Sequence, residues 1–445
     1  MKRLFGTDGI RAVAGRFPLD AASVAALGRA LASLLREEGL GPDAVIGRDT
    51  RESGAWLEEA FARGFGEGGG RAVSAGIIPT SGISFLTRKH AFAAGIVLSA
   101  SHNPYHDNGI KIFSAEGTKI RDDWEIRLEK ALHEGGPSVP AGGSPIRTET
   151  SLLEEYVRSL QESFPGTLRP DGMKIALDCA NGAGSGVAPR VFEGLGFEVV
   201  ALNTAPDGRN INLDCGSLHP EAVAAGVVAS GAALGIAYDG DADRAVWADE
   251  TGRVLNGDHT LFVQALHMKE LGRLHGNQVV ATTMSNMGLA EALGREGIGL
   301  VRTRVGDKYV LEEMIRSGAN LGGEQSGHTI FLDESPTGDG ILTSLKMAQA
   351  MLGRRSPLSR LVAGYEEFPQ VLVNVRVREK AAFNGFPEIA RTVEAIKAGL
   401  DGNGRIDLRY SGTEPVARIM IEGRDEAGIR EQAGRLAEVI RKHLG

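Results

Sequence analysis

Short apolar runs rich in β-branched residues alternate along the chain with longer segments whose apolar residues recur about every 3.6 positions. The short runs predict strands at residues 44–47, 72–78, 96–99, 174–178 and 234–238. The longer segments predict amphipathic helices at residues 22–36, 153–163, 221–229 and 259–270. This alternation is typical of α/β layers, and the near-continuous apolar strands indicate largely parallel sheets that are covered on both faces.

Polar residues, glycine and proline cluster at three places that are candidate domain boundaries: 135–151, 249–258 and 364–369. They divide the chain into four predicted domains, at residues 1–151, 152–252, 253–366 and 367–445. In the last of these, strands are predicted at 371–377, 406–410 and 417–422, with helices near 388–398 and at the end. The final segment therefore indicates a smaller α+β domain.

Composition narrows the function classes. The 445 residues are 42% hydrophobic and 24% charged, which is typical of a soluble globular protein of about three or four domains. A net charge of −8 provides no broad basic face, so we expect no nucleic-acid partner. Two cysteines cannot form a disulfide framework, and neither an apolar signal segment nor a run of about 18 apolar residues occurs. We therefore expect a cytoplasmic protein without a membrane partner.

Three carboxylates, Asp239, Asp241 and Asp243, occupy alternate positions directly after the predicted strand at 234–238, and Arg244 follows them. In an extended chain or a glycine-containing loop such side chains converge on one side. Three converging negative charges need a cation, and carboxylate oxygens suit a hard ion such as Mg²⁺. The motif predicts a Mg²⁺ site that leaves a coordination position for a phosphoryl oxygen.

A calcium-binding loop is a poor alternative for this motif. Glu250 stands at the twelfth position, where such a loop has its bidentate glutamate, but Arg244 occupies the sixth position, where the turn needs glycine. An acidic turn solvated at the surface is the other alternative. The apolar strand before the motif argues against it, because that strand places the turn at the carboxyl edge of a sheet.

Ser101 follows another apolar strand, in the sequence Ser-Ala-Ser-His-Asn-Pro at 99–104. Strand-to-loop turns of this kind present side chains to a cleft, which is the position of a nucleophile. The adjacent His102 is expected to orient or activate the hydroxyl, and Lys111 to supply positive charge near a transferring phosphate. The alternative is a Ser/Asn capping turn before the proline.

The segment 323–328 combines a carboxylate, a hydroxyl and an imidazole at alternate positions: Glu324, Ser326 and His328. Donors and acceptors at this spacing are suited to gripping vicinal sugar hydroxyls. His328 is also a candidate general acid or base. A helix-capping loop is the alternative structural interpretation.

The segment 409–418 has the composition of a phosphate cradle, with two guanidiniums, two hydroxyls and a glycine whose backbone can approach an anion. The alternative is that surface arginines pair with Glu414. The candidate phosphate-binding residues are Arg409, Ser411, Gly412, Thr413 and Arg418.

Nucleotide-binding motifs are not supported by their context. The sequence Gly-Phe-Gly-Glu-Gly-Gly at 64–69 matches G-x-G-x-x-G but follows a predicted helix and precedes a strand, the reverse of a dinucleotide-binding unit. The turn at 182–184 has the right strand before it, yet Val187 stands where the third glycine belongs. The chain contains no Gly-Lys dipeptide, so it has no P-loop.

Four motifs were described above, at residues 99–104, 239–244, 323–328 and 409–418. In this order, and across essentially the whole chain, they resemble the motifs of the α-D-phosphohexomutase family. The resemblance implies three similar mixed-sheet α/β domains and a smaller C-terminal α+β domain around a central cleft. It also implies phosphoryl transfer through a phosphorylated Ser101, with Mg²⁺ held by the three aspartates and a phosphoserine oxygen. A hexose bisphosphate is the implied activator.

Three features are similar to the family branch that acts on glucosamine phosphates: the opening segment 4–11, the segment 215–221, and Gln325. This resemblance implies interconversion of glucosamine 6-phosphate and glucosamine 1-phosphate through glucosamine 1,6-bisphosphate, a step toward amino-sugar nucleotides and cell-wall precursors. The glucose and mannose branch of the family is the alternative.

The resemblance also implies roles for individual residues. Lys111 and His328 become candidates for proton transfer, and Arg244 for charge neutralisation. Glu324 and Ser326 would hold sugar hydroxyls, and Arg11 would reach the cleft from the N-terminal loop. The segment 409–418 would hold the phosphate that does not react.

Asp307 stands in a loop between a predicted strand and helix, where the glucose and mannose branch tends to carry histidine. We hypothesise that its carboxylate favours the 2-ammonium group of glucosamine. The alternative is an N-cap for a helix that starts near Tyr309.

Two functions of other kinds compete with the mutase. A metal-dependent phosphomonoesterase would share the aspartates, but it would not need four substrate-holding loops. A non-catalytic sugar-phosphate sensor is expected to lack Ser101 or one aspartate, and this chain retains them all. The oligomeric state is left open, with a homodimer as one possibility.

Overall fold

The computed structural model of the chain describes residues 4–6, 8–134, 146–411 and 415–445. The chain divides into two compact units, and each is described by itself. The larger unit is Met1–Thr282 with Val301–Ala363, and the smaller unit is Thr283–Leu300 with Gly364–Gly445.

The first sheet of the larger unit lies within the N-terminal third of the chain. Its strands are β1 (Phe5–Gly6), β2 (Gly9–Val13), β3 (Asp43–Arg48), β4 (Arg71–Ile77), β5 (Ala94–Leu98) and β6 (Asp107–Ser114), and its helices are α1 (Ala21–Glu37), α2 (Gly54–Glu67), α3 (Thr80–Lys89) and α4 (Asp122–Glu134). The strand order is β1-β2-β6-β5-β3-β4. β3 pairs in parallel with β4 and β5, whereas β6 is antiparallel to β5 and β2.

The second sheet follows in the chain. Its elements are α5 (Thr150–Glu162), β7 (Lys174–Asp178), α6 (Ala188–Gly194), β8 (Glu198–Leu202), α7 (Glu221–Ser230), β9 (Leu234–Tyr238), β10 (Ala245–Asp249) and β11 (Val254–Leu255). The order is β11-β10-β9-β7-β8, with β7 parallel to β8 and β9, and β10 antiparallel to β9 and β11. β9 is buried along its whole length, so the loop that follows it begins inside the protein.

The third sheet has the order β13-β12-β14-β15. The elements of this part of the chain are α8 (Gly257–Glu270), β12 (Gln278–Thr282), α9 (Met287–Arg295), β13 (Gly299–Thr303), α10 (Asp307–Ser317), β14 (Leu321–Gly323), β15 (Thr329–Phe331), α11 (Gly340–Arg354) and α12 (Leu358–Leu361). β12 and β14 are parallel, and β14 and β15 form an antiparallel pair. By its residues, α9 belongs to the smaller unit.

The smaller unit contains an antiparallel sheet in the order β16-β18-β17. Its further elements are β16 (Gln370–Arg376), α13 (Pro387–Leu400), β17 (Gly404–Tyr410), β18 (Val416–Gly423) and α14 (Glu426–Leu444). Apolar residues of the sheet and the two helices form its core, with Ile419, Ile421 and Leu436 fully buried. Short 3₁₀ turns lie at 183–186, 216–218, 275–277 and 383–385.

The predicted fold class is confirmed: mixed α/β sheets precede a smaller α+β sheet. The predicted strands at 174–178 and 234–238 have the bounds that the structure gives to β7 and β9. The expectation of largely parallel pairing was wrong, because short connections return β6, β10 and β15 antiparallel to their neighbours. Within the described residues, none of the helices combines the length and the apolar character needed to cross a membrane.

Helices α1 and α2 approach closely through glycines. A Cβ atom at Gly64 would lie 1.9 Å from the carbonyl oxygen of Ala25, and one at Gly28 would lie 2.4 Å from that of Phe61. Gly64 belongs to the G-x-G-x-x-G sequence, which ends a helix and precedes β4 as its context predicted. Here the glycine allows two helices to pack rather than a dinucleotide to bind.

Candidate active site

Ser101 lies on the loop after β5, is 1% exposed and has a left-handed backbone with φ of +52°. Its Oγ donates a hydrogen bond to Asp239 Oδ2 at 2.5 Å, and His102 Nδ1 lies 3.2 Å from the same Oγ. Burial, followed by the charges of Arg244 and Arg11, lowers the pKa of His102 to about 4. A neutral imidazole therefore stands beside the serine hydroxyl at neutral pH.

The three predicted metal ligands lie on the loop between β9 and β10, where Asp239, Asp241 and Asp243 are 0%, 1% and 5% exposed. One carboxylate oxygen from each lies within 4.8 Å of the others. This burial excludes the solvated surface turn. The strand β10 after the loop also differs from the helix that an EF-hand requires.

The same loop fits a hard cation. Asp241 Oδ1 and Asp243 Oδ1 are buried and make no hydrogen bond within the described part of the chain. Buried carboxylate oxygens are normally satisfied by a donor or by a metal. The donor set is all oxygen, which Mg²⁺ prefers. These observations support the predicted metal site.

Lys111 lies on β6 and is 1% exposed. Its Nζ is 2.8 Å from Asp241 Oδ2, 3.2 Å from Asp243 Oδ2 and 3.0 Å from Asp8 Oδ2. Burial alone would lower the pKa of Lys111, but these three carboxylates outweigh it and raise the pKa well above its usual value. The lysine therefore stays charged and neutralises part of the acidic loop.

The aspartates of the loop differ in their protonation chemistry. Burial, then the neighbouring charges of Asp243 and Asp241, raises the pKa of Asp239 well above its usual value. Burial also opposes ionisation of Asp243, but Lys111, His328 and Arg244 overcome it and hold the pKa well below the usual range. Of these two carboxyls, that of Asp239, the residue that contacts Ser101, therefore resists ionisation more.

His328 ends the turn between β14 and β15 and is 4% exposed. Its Nδ1 lies 3.7 Å from Asp243 Oδ1, and its Nε2 accepts a hydrogen bond from Gly338 N at 3.0 Å. Burial lowers its pKa, and the hydrogen bond from Gly338 N also favours the neutral ring, because an accepting Nε2 carries no proton. Asp243, then Asp307 and Glu324, act in the opposite direction and raise the pKa. The segment 323–328 joins two strands and begins no helix of its own, while Gln325 O accepts a hydrogen bond from Gly257 N at the start of α8 at 2.9 Å.

Arg244 lies between the loop of the three aspartates, residues 239–243, and the turn that carries Glu324, Ser326 and His328. Its backbone pairs with that of His328, and its Nε is 3.8 Å from both Asp239 Oδ2 and Asp243 Oδ1. Burial opposes its charge, yet Asp239, Asp243 and Glu324 raise its pKa further. Its guanidinium is therefore a permanent cation beside the serine and the triad.

Asp307 begins α10, and Gly306, not Asp307, is the N-cap, so the helix starts two residues earlier than expected. Lys119 Nζ lies 2.6 Å from both carboxylate oxygens of Asp307 and 2.7 Å from Asp8 Oδ1. His328 Nε2 is 3.8 Å from Asp307 Oδ2. Asp8 also pairs with Arg11 at 2.5 Å. The predicted residues Asp307 and Arg11 are therefore both connected to the site.

Five of these side chains form a row of alternating charge that we call the charge ladder. It runs from the start of α10 to the loop of the three aspartates, with 2.6–3.0 Å between successive charged atoms. Its members are Asp307, Lys119, Asp8, Lys111 and Asp241.

Glu324 and Ser326, the two residues predicted to hold sugar hydroxyls, differ in environment. Glu324 Oε1 accepts a hydrogen bond from Gly306 N at 3.1 Å, which places its carboxylate beside the start of α10. Burial raises the pKa of Glu324 despite the nearby His328 charge. Ser326 is exposed on the same turn.

The predicted phosphate-binding residues lie in the smaller unit. Arg409 and Arg418 are direct cross-strand partners on β17 and β18. Arg409 Nε donates to Asp407 at 3.1 Å, and the carbonyl of the buried Ser411 accepts from Lys380 at 2.6 Å. Gly412, Thr413 and the proposed alternative partner Glu414 lie outside the described residues.

Several side chains that hold the site in place were not predicted from the sequence. Thr80 donates to Asp241 Oδ2 at 2.5 Å, and Asp49 accepts from the hydroxyl of Ser99 at 2.6 Å. Asp8 and Lys119 complete the charge ladder. A signal existed for Asp49, because it follows a predicted strand just as Ser101 does. The same signal existed for Thr80, which follows the predicted strand at 72–78, and Asp8 lies in the segment 4–11. No sequence pattern marks Lys119.

The chain belongs to the phosphoglucomutase/phosphomannomutase family, and it is an enzyme of the phosphohexomutase class. All four domain descriptions of that family match it in order. They are alpha/beta/alpha domain I at residues 2–137, domain II at 154–252, domain III at 256–368, and the C-terminal domain at 372–439.

Curated relatives that align with the whole chain are phosphoglucosamine mutases. A phosphoglucosamine mutase of Solibacter usitatus is 46% identical over 446 residues, covering 100% of this chain and 99% of the relative. A phosphoglucosamine mutase of Syntrophotalea carbinolica is 47% identical over 450 residues, with coverage of 100% and 98%. A solved phosphoglucomutase/phosphomannomutase family protein from Burkholderia thailandensis has the same fold, with a TM-score of 0.81, 24% identity, and coverage of 100% and 99%.

Proposed function

We propose that this enzyme interconverts glucosamine 6-phosphate and glucosamine 1-phosphate through phospho-Ser101 and a 1,6-bisphosphate intermediate, and so supplies amino-sugar nucleotide synthesis. The observation that carries the chemistry is the buried Ser101 hydroxyl, 2.5 Å from a cluster of three aspartates. The names of the relatives carry the choice of substrate.

In the proposed cycle, the P–O bond to Ser101 Oγ breaks as a new P–O bond forms to the free hydroxyl oxygen of the sugar. The proton of the sugar hydroxyl passes to a protein base, and Ser101 Oγ receives a proton from a protein acid as it leaves. The bisphosphate then reverses its orientation in the site, and its other phosphoryl group is transferred to Ser101. Transfer of this kind depends mainly on positioning and charge neutralisation. Arg244 and Lys111 provide fixed positive charge within the site.

Asp239, Asp241 and Asp243 would hold Mg²⁺, with a phosphoserine oxygen as a further ligand. When bound, the ion supplies charge neutralisation to the phosphoryl group. Lys111 and His328 are the proposed groups for proton transfer, because both lie beside the aspartates. Their raised pKa values favour the protonated forms, so each would first act as a proton donor. The neutral His102 would orient the serine hydroxyl. A hexose bisphosphate is the proposed activator.

Glu324 and Ser326 are proposed to hold sugar hydroxyls, and Arg11 to contact the substrate from β2. Arg409 and Arg418 support a phosphate site in the smaller unit, because their direct cross-strand pairing places two guanidinium-bearing side chains next to each other. The complete proposed phosphate set is Arg409, Ser411, Gly412, Thr413 and Arg418.

We also propose that Asp307 contacts the 2-ammonium group of the substrate. In the structure its carboxylate already receives an ammonium group, that of Lys119. Asp307→Asn should lower kcat/KM for glucosamine 1-phosphate about tenfold or more, because a charged hydrogen bond contributes about 1.5–3 kcal/mol. Turnover of glucose 1-phosphate, which lacks the amine, should fall less, because with that substrate the variant loses only the effect of Asp307 on His328 and Lys119. An unchanged ratio between the two substrates would refute this role.

The central test is a coupled or phosphorus-NMR assay with Mg²⁺ and a trace of bisphosphate. It compares kcat/KM for glucosamine 1-phosphate, glucose 1-phosphate and mannose 1-phosphate. A clear preference for the amino sugar is the expected result. Equal or better turnover of the other sugars would assign the enzyme to the broader branch, and free phosphate without isomerisation would identify a phosphatase.

The remaining proposals concern the whole chain. The division into residues 1–151, 152–252, 253–366 and 367–445 is our proposed domain organisation. Two free cysteines, both buried, support a reducing compartment such as the cytoplasm.

A further inference from the structure

The backbone carbonyl of Ser101 accepts hydrogen bonds from two side chains on separate segments. Arg51 Nη2 donates at 3.0 Å, and Asn212 Nδ2 donates at 2.9 Å. Both groups also donate to the carbonyl of Asn103, at 2.8 Å and 3.1 Å. We call Arg51 and Asn212 the carbonyl clamp. One donor lies after β3 and the other lies in the loop after β8, so the clamp connects the first two sheets at the serine loop.

The clamp acts on a strained residue. A φ of +52° is uncommon for a residue with a side chain, and such conformations persist only where the surroundings hold them. This backbone conformation turns the Ser101 carbonyl toward the clamp while its Oγ reaches Asp239. The hydrogen bonds to the carbonyl therefore stabilise the geometry that directs the hydroxyl at the aspartates.

Burial and several hydrogen bonds fix the orientation of the Arg51 side chain. Its guanidinium is fully buried, and its Nε lies 2.9 Å from Asp49 Oδ2. The same carboxylate oxygen accepts from the hydroxyl of Ser99, which in turn accepts from Ser101 N at 2.9 Å. Arg51 Nη1 also donates to Pro104 O at 2.6 Å. One arginine thus binds three carbonyls of the serine loop in a fixed orientation.

Asn212 also has a left-handed backbone, with φ of +57°. The loop of the three aspartates leaves room for its amide only because residue 240 is glycine. A Cβ atom at Gly240 would lie 2.8 Å from Asn212 Nδ2 and 2.6 Å from Ser101 O. The aspartate loop, the serine loop and the asparagine therefore meet at one carbonyl.

We propose that Arg51 and Asn212 are positioning residues for phosphoryl transfer, because they hold Ser101 in the conformation that presents Oγ to the aspartates. This inference rests on the proposed function. Neither side chain contacts Ser101 Oγ, so both act through the serine backbone. A displacement of about 1 Å in a reacting group lowers a rate about 100-fold. Loss of the clamp should therefore lower kcat and leave KM nearly unchanged.

Asn212→Gly is the sharpest test, because glycine keeps the left-handed backbone and removes only the amide. The matched control is Asp214→Gly, which lies in the same loop with φ of +52° and an exposed side chain. We expect kcat to fall about ten- to one-hundred-fold in Asn212→Gly, with KM and the thermal unfolding midpoint close to those of the control. In Asn212→Asp, a carboxylate that repels the Ser101 carbonyl replaces the amide donor, so kcat should be lower still.

A kcat for Asn212→Gly within about twofold of the control would overturn the inference. A crystal structure of the variant gives a second test that needs no activity: the Ser101 φ should leave the left-handed region, and an unchanged φ would also overturn the inference. The wild-type assay separates the two proposals. A wild-type enzyme that isomerises no hexose phosphate contradicts the proposed function, while the Ser101 backbone in the variant still decides the clamp.

Discussion

His259 shows how burial of a single imidazole makes stability depend on pH. The residue is 1% exposed at the third position of α8, where its Nδ1 accepts from Asn256 N at 3.3 Å. Burial, reinforced by the charge of Arg253, lowers its pKa to about 3. An unfolded histidine has a pKa near 6.5. The neutral ring therefore stabilises the fold fully above about pH 6.5, and this contribution is lost as the pH falls toward 3.

His259→Gln isolates this contribution, because glutamine keeps the side-chain acceptor of a capping box and cannot titrate. Between pH 7 and pH 5 the wild-type protein should lose about 2 kcal/mol more unfolding free energy than the variant does. Urea unfolding at the two pH values measures the difference. Equal losses in the two proteins would show that the buried imidazole accepts a proton without cost.

Individual site residues were predictable where the chemistry is local in the sequence. Ser101 and the three aspartates could be identified because each motif follows an apolar strand, and the structure brings them together. Asp8 and Lys119 could not be identified, because their roles depend on distant partners. Lys119 meets Asp307 across 188 positions of the chain, and no local pattern encodes such a pairing.

At the scale of elements, the crossing of α1 and α2 depends on Gly64. Alanine is a better helix former than glycine by about 1 kcal/mol, so local propensity favours Gly64→Ala. A new Cβ atom would nevertheless lie 1.9 Å from Ala25 O and 2.5 Å from Ala25 C, against backbone that cannot rotate away. Overpacking of this kind costs about 1–3 kcal/mol or more. We therefore expect net destabilisation.

Gly66→Ala provides the matched control, because Gly66 lies on the same helix and a Cβ atom added there would meet nothing within 4 Å. It should be neutral or slightly stabilising. The midpoints of urea denaturation for the two variants measure the comparison. If Gly64→Ala were as stable as Gly66→Ala, the helices would have to separate at little cost.

Elements with a regular apolar pattern were predicted best. β7 and β9 are short apolar strands bounded by polar loops, and their limits follow from the sequence. β6 was not predicted, although it carries Lys111. A charged residue within a short apolar run hides a strand, and the burial of Lys111 depends on carboxylates from other parts of the chain.

At the scale of the whole molecule, the proposed cation links the acidic loop to stability. A ligand that binds only the folded chain stabilises it by about 2.7 kcal/mol at 100 times its Kd. Thermal unfolding should therefore shift upward on addition of Mg²⁺, and the shift should disappear in Asp241→Asn. Asp214→Asn, an exposed control, should respond as the wild-type protein does. An equal Mg²⁺ response in Asp241→Asn would place the cation elsewhere.

The sequence does not reveal how distant segments combine into compact units. Residues 283–300 group with the C-terminal part of the chain because Met287 N donates to Glu422 at 2.6 Å and Arg405 donates to the carbonyls of Thr283 and Ser285. Composition does not change at residue 283, so no boundary could be drawn there. Such grouping depends on which surfaces fit one another after folding.

The charge ladder and Arg409 should respond differently to ionic strength, because the ladder is buried and Arg409 is partly exposed. Lys111 and Asp241 have side chains that are 1–2% exposed, whereas the Arg409 side chain is 31% exposed. Dissolved salt screens exposed charges far more than buried ones. If Arg409 holds the substrate phosphate as proposed, added salt should raise KM by screening this exposed charge, while kcat stays nearly constant. Steady-state kinetics over a salt series would detect this, and a fall in kcat at constant KM would contradict it. The buried charge ladder would thus keep the proposed catalytic centre in order at salt concentrations that already weaken substrate binding.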